Sequence, residues 1–200
     1  MKKLDLQKGF SLREEYSKSW KYLVESKRFI FLIILFFFLS AILGFLIPPS
    51  EILSDALMDL LKELVEKTQG MNGFELIVFI FFNNLQTSFS GMIFGFLFGI
   101  LPIVATLING YIIGFVSSMS VNLKGFSSLL NLVPHGIFEL PAVFISLGLG
   151  LKFGSFIFEK NKADSFRNFF WNSIRVFLLI VLPLLLIAAI IEGSLIFLLS

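Results

Sequence analysis

The chain has 200 residues, of which 56% are hydrophobic, 27 are Phe and none is Cys, and its mean hydropathy is +0.91. A soluble domain of this length could not hide so much apolar surface, so the composition excludes a soluble globular protein and implies an all-α, polytopic integral membrane bundle. The absence of cysteine excludes disulfides, thiolate metal sites and cysteine nucleophiles, and with a net charge of only +2 no nucleic-acid partner is expected.

Residues 1–28 form the first unit. Eight of the sixteen Lys and Arg residues lie in it (Lys2, Lys3, Lys8, Arg13, Lys18, Lys21, Lys27 and Arg28), whereas the next polar segment holds only Lys62 and Lys67 among five acids. The positive-inside bias places this N-terminus in the cytoplasm of a cell membrane. Ser11 with Glu14 three residues on is a capping-box pattern, and Leu12, Tyr16, Trp20 and Leu23 recur at helical spacing. The expectation is a basic amphipathic helix on the membrane face, with Trp20 and Tyr22 near the headgroups.

No signal peptide fits, because the first apolar run starts near Phe29 and is followed by Pro48-Pro49 instead of a small-residue cleavage site. Residues 29–47 are therefore expected to be a retained first span of about the ~20 residues a bilayer needs. Residues 50–70 follow as an external amphipathic helix: Ile52, Leu53, Ala56, Leu57, Leu60, Leu61, Leu64 and Val65 share one face, charges fill the other, and Gly70 ends it. Its acids argue against attraction to anionic lipid. It either rests on the bundle or docks a partner.

Residues 73–200 form the core bundle. A short second span over 73–89 contains Asn83-Asn84, and a tight 86–91 connection leads to a long third span over 91–120. Pro102 is expected to kink or break that span, and Asn109-Gly110 adds an amide at a similar depth. Gly91, Gly95 and Gly99 lie four apart, as do Gly110 and Gly114, and such small-xxx-small faces let helices approach closely in lipid. A fourth span covers 132–150 and is ended loosely by Gly148, Gly150 and Gly154. Lys152, Lys160, Lys162 and Arg167 then make a second cytoplasmic cluster. A fifth span over 169–191 contains Pro183 and ends at Glu192. Five crossings put the C-terminus outside; a re-entrant pair in place of the second or fourth span would change that count.

Pro134-His135-Gly136-Ile137-Phe138-Glu139-Leu140-Pro141 puts the only histidine and an acid inside an apolar segment, where ionisable groups are expensive and usually kept for function. On a helix, His135 and Glu139 share a face and could share a proton, a hydrogen bond or a metal ion. Pro134 suits a helix start, Gly136 follows, and Pro141 leaves the carbonyl of Ile137 without its usual donor, as in the broken helices of transporter sites. The same pair could instead form a packing network with Asn83, Asn84, Asn109 and Glu192, each bond adding about 0.6 to 2 kcal/mol. Catalysis ranks below both readings. There is no His-Glu-x-x-His zinc motif and no Gly-x-Ser-x-Gly nucleophile context.

Phe82-Asn83-Asn84, Gly95 to Gly99 followed by Pro102, Asn109-Gly110 with Gly114, Pro134-His135-Gly136 with Glu139-Leu140-Pro141-Ala142, and Ala188-Ala189-Ile190-Ile191-Glu192 occur in an order that resembles the stage II sporulation protein M family, from about Trp20 to the C-terminus. The resemblance implies a polytopic membrane partner of peptidoglycan hydrolases in the name-giving case, with similar proteins in bacteria and archaea that do not sporulate. It carries fold class and site positions further than biological role.

Two functions follow as expectations. One is a non-enzymatic membrane scaffold that recruits membrane or cell-envelope proteins. The other is a small transporter, channel or permease-like subunit moving an ion or small solute past His135 and Glu139. Either is expected to sit in lipid as a homo-oligomer, a dimer through the glycine faces being favoured. The sequence specifies no cofactor.

Overall fold

The structure is a computed structural model. It describes the backbone of residues 11–199 and their side chains except those of 130–135, 138 and 199. Helix accounts for nearly all of it, and no strand occurs among the described residues.

Helix α1 (Leu12–Glu25) begins at Ser11, whose hydroxyl accepts from the Glu14 N–H, and passes through Ser26 into α2 (Lys27–Leu46). Helix α3 (Glu51–Thr68) follows Pro48-Pro49 and stops before Gly70, whose φ of 83° is readily adopted only without a Cβ. Helix α4 (Gly73–Ile93) opens with a complete capping box: the Asn72 side chain accepts from the Phe74 and Glu75 N–H groups, and Glu75 Oε2 accepts from Asn72 N at 2.8 Å.

The second and third spans divide later than expected. Helix α4 continues through 86–91, and the chain turns only at Phe98 (φ 57°) and Gly99 (φ 70°) before α5 (Ile100–Lys124). Pro102 therefore neither kinks nor breaks a span. It lies in the first turn of α5, where a backbone N–H would have no helical partner, and α5 runs unbroken past Asn109-Gly110.

Helix α6 (Val133–Gly154) accommodates Pro141, continues through Gly148 and Gly150, and ends at Gly154. Helices α7 (Lys162–Val176) and α8 (Leu182–Leu199) are joined by a π-helical turn at Phe177–Val181 just before Pro183, whose missing N–H disturbs the ordinary ladder there.

Among the described residues five stretches are long and apolar enough to cross a membrane. Their close contacts fix directions. The Cα of Gly110 comes up to the Phe37 carbonyl and Gly114 to Ala41, while Ser40 Oγ donates to Leu107 O at 2.6 Å, so α2 and α5 run parallel. Ser146 Oγ donates to Ser88 O at 2.6 Å and Gly95 meets Gly150, so α4 and α6 are parallel too. Gly148 against Ile30, with the Phe37 and Phe144 rings 5.0 Å apart, makes α6 antiparallel to α2. Ile77 against Gly193 and the Phe89–Phe177 ring pair at 5.2 Å make α8 antiparallel to α4.

The five apolar helices therefore reverse direction one after another, with α1 and α7 at one end of the bundle and α3 at the other. Helix α6 is central: 56% of its apolar span is enclosed, against 22% in each of the first three spans. Outward faces such as Phe31, Phe38, Leu39, Ile42 and Leu43 on α2 stay exposed, as lipid-facing residues do.

Candidate functional site

The glycines decide what the bundle can contain. A Cβ on Gly95 would fall 2.5 Å from the Gly150 Cα, one on Gly150 would fall 2.6 Å from the Gly91 carbonyl oxygen, and Gly99 lies against Leu151 and Gly154. The faces of Gly91, Gly95, Gly99, Gly110 and Gly114 are thus consumed inside one chain. A dimer would have to use another surface. Gly136 is different, since among the described residues its added Cβ would meet only Leu140 Cδ1 at an ordinary 3.4 Å.

The register places the two intramembrane acids close in depth, a little to the α3 side of the middle. Reading from Ser88–Ser146 puts Glu139 at the level of Phe81, and reading from Ile77–Gly193 puts Glu192 one residue away, at the level of Val78. Both acids have a carboxylate oxygen enclosed by protein. Asn109 is half-buried beside the Gly110–Phe37 contact.

Asn83 and Asn84 sit at the middle of α4, where Asn83 Nδ2 donates to Asn84 Oδ1 at 3.4 Å; Asn83 itself is exposed on the outer face and not directed into the bundle. Pro134 and His135 begin α6, so His135 and Glu139 share a helix face by register. The His135 side chain lies outside the described residues. Among the described residues no three metal-ligating side chains converge.

A second polar site lies at the opposite end, and the sequence reading missed it. Lys152, counted above in the second cytoplasmic cluster after the fourth span, is in the last turn of α6 and 7% exposed. Its Nζ donates to Ser26 Oγ at 3.2 Å and stands 3.7 Å from the Tyr22 ring centroid, with the Phe169 ring at 5.7 Å. A desolvated cation over an aromatic face is worth about 2 kcal/mol, which offsets part of its burial.

Tyr22 is consequently a core residue instead of a headgroup anchor, and burial pushes its phenol well above the usual range. Trp20 remains exposed, as does Trp171, both at the end where an aromatic belt belongs. The available signal was Lys152 itself, the one charge in the otherwise apolar, glycine-spaced run from Phe144 to Phe158.

Next to this cation, α1 is clamped to α7. Glu15 Oε2 pairs with Arg175 Nε at 2.5 Å and Glu15 Oε1 with Lys18 Nζ at 2.5 Å, while Arg175 also donates to Asn172 Oδ1. The hydrogen bond from Lys18, helped by the Arg175 charge and opposed by desolvation, holds the Glu15 carboxyl below its ordinary value.

Helix α3 contrasts with α1. It makes only marginal contact with the other elements. Leu57 alone is buried, whereas Ile52, Leu53, Leu60, Leu64 and Val65 are exposed above a charged face carrying the Lys67–Glu63 and Lys62–Asp59 pairs.

Five alternating apolar traverses around a central helix, with one appended helix docked and the other free, define a multi-pass helical membrane protein. The chain belongs to the stage II sporulation protein M family, whose model matches residues 33–195. The match begins inside the first membrane segment and runs into the last, so it leaves out α1 and the start of α2. No curated protein and no solved structure matches the chain.

Proposed function

We propose that this protein is a non-enzymatic membrane scaffold that holds partner proteins of the cell envelope at the bilayer. The observation that carries the reading is α3. Eighteen residues of amphipathic helix stand outside the bundle with most of their apolar face uncovered, and short segments tie both ends to membrane spans. An apolar stripe rimmed by charge is the usual form of a helix-recognition surface.

The backbone-to-backbone glycine contacts support the same reading, because they make a rigid frame of the spans. Half of the basic residues precede or open α2, and Lys160, Lys162 and Arg167 lie at the same end of the bundle. That bias favours a cytoplasmic α1 and α7, an external α3 and an external C-terminus in the plasma membrane.

A transport reading draws on one observation, the enclosed carboxylate oxygens of Glu139 and Glu192 at membrane depth. The test is purification from native membrane in mild detergent, for the parent and for Leu60→Glu/Leu64→Glu. A stoichiometric protein partner lost from the variant supports the scaffold. Ion or solute flux in liposomes that disappears in Glu139→Ala, without a partner, replaces it with transport.

A further inference from the structure

The outer face of α4 carries polar groups where lipid should be. Met71, Phe74, Glu75, Val78, Phe79, Phe82 and Asn83 line a shallow groove of about 510 Å³ on this face, which Gln86 completes; Glu75 lies at its α3 end, where its carboxylate accepts from Asn72 N in the capping box. Phe74 and Phe82 are 74% and 60% exposed, and Asn83, Gln86 and Thr87 are exposed beside them. Thr87 donates to the Asn83 carbonyl, but the side-chain amides of Asn83 and Gln86 project from the bundle.

Asn83 is the midpoint of the 21-residue helix Gly73–Ile93, about 15 Å from either end at 1.5 Å per residue. That is mid-depth for a span of this length, where the Asn83 amide, whose Nδ2 also reaches Asn84 Oδ1 at 3.4 Å, is costly to leave facing lipid and a cross-helix hydrogen bond is correspondingly favoured.

We propose that the α4 groove is the seat of a second copy of this chain, with Asn83 and Gln86 hydrogen-bonding across a two-fold axis normal to the membrane. The membrane itself selects this occupant. Copies inserted in the same orientation bring their α4 helices together in parallel, so each residue meets its own counterpart at the same depth.

A carboxamide is both donor and acceptor and is therefore complementary to itself. Any other helix would need a matching donor and acceptor at that depth, whereas symmetry supplies them to a second copy without further design. The exposed Phe74 and Phe82 rings supply apolar contact along the same seam. The interface is also compatible with the interior, because it uses none of the glycine faces that the bundle consumes, and it leaves α3 uncovered for a partner.

The absence of native cysteine makes the test direct. Full-length protein carrying only Gln86→Cys, in proteoliposomes at low protein-to-lipid ratio, should form a disulfide dimer on mild oxidation. The same protein carrying only Leu43→Cys, on the lipid-facing side of α2, should not. Asn83→Leu/Gln86→Leu should keep the helical content and thermal midpoint of the parent but dimerise roughly tenfold or more weakly by single-molecule photobleaching, as expected for lost interhelical hydrogen bonds.

A monomeric parent under these conditions, equal cross-linking at residues 43 and 86, or undiminished dimerisation of the double variant would each overturn the proposal. So would rapid labelling of Gln86→Cys by a membrane-impermeant maleimide, which would mean that water, and not a second copy, fills the groove. If the double variant fails to fold, the two cysteine proteins decide the matter alone.

Discussion

Gly95→Ala isolates the close approach of α4 and α6. The added methyl would lie 2.5 Å from both the Cα and the carbonyl carbon of Gly150, roughly 1 Å inside a normal carbon–carbon contact. Both opposing atoms are backbone, so no rotamer change can make room, and the two helices must separate. Overpacking of this kind costs about 1–3 kcal/mol, and a gap of up to ~1 Å along the rest of the seam forfeits a quarter to a half of each contact's dispersion energy. The Ser146–Ser88 bond at 2.6 Å lies on the same seam and would lengthen with it.

Gly136→Ala is the matched control, since among the described residues its methyl meets only Leu140, at 3.4 Å, and a helical Gly→Ala change can even stabilise by about 0.4–1 kcal/mol. Unfolding midpoints from denaturant titration in micelles, followed by Trp fluorescence, should show Gly95→Ala clearly below the parent and Gly136→Ala at or above it. Equal midpoints for Gly95→Ala and the parent, or a larger loss at Gly136, would refute the close-packed seam.

The remaining predictions concern the polar contacts. Ser146→Ala and Ser40→Ala each remove a 2.6 Å hydrogen bond between spans and should lower stability by about 0.6–2 kcal/mol in the same titration; no change in either would mean the bond is replaced or absent. Lys152→Ala empties a buried site and should cost about 2–5 kcal/mol. Lys152→Met fills it without the desolvated charge and should fall near the parent, so two equally damaged variants would show that the ammonium is indispensable.

Glu15 provides a pH dependence. Its folded carboxyl is held below the ordinary value, so the pairing stabilises α1 docking fully at neutral pH. That stabilisation is lost as the pH falls from about 4 through the lowered value. Spin labels on α1 and α7 should move apart in acid in the parent and show no such transition in Glu15→Gln; a parent transition near neutrality would contradict the assignment.

The sequence alone determined the class of protein and the number of spans. Hydropathy and charge bias are summed over many residues, so small local errors cancel, and the amphipathic period of α3 is local to one helix. Motif order likewise pointed to the family, which the match over residues 33–195 shows.

What depends on neighbours was not legible. Pro102 looks like a helix breaker until the turn at Phe98-Gly99 makes it a helix start, and a glycine face reads the same whether it meets its own chain or another copy. Lys152 looked like a loop cation because burial depends on α1, which is distant in sequence and folds back to put Tyr22 and Ser26 around it. Conversely, Asn83 read as an interior group, because helical periodicity places residues on faces but does not say which face the rest of the bundle will cover. Only the tertiary structure could assign the inside and outside of each helix, since in a membrane both sides are apolar and the hydrophobic pattern that orients a soluble helix is largely absent.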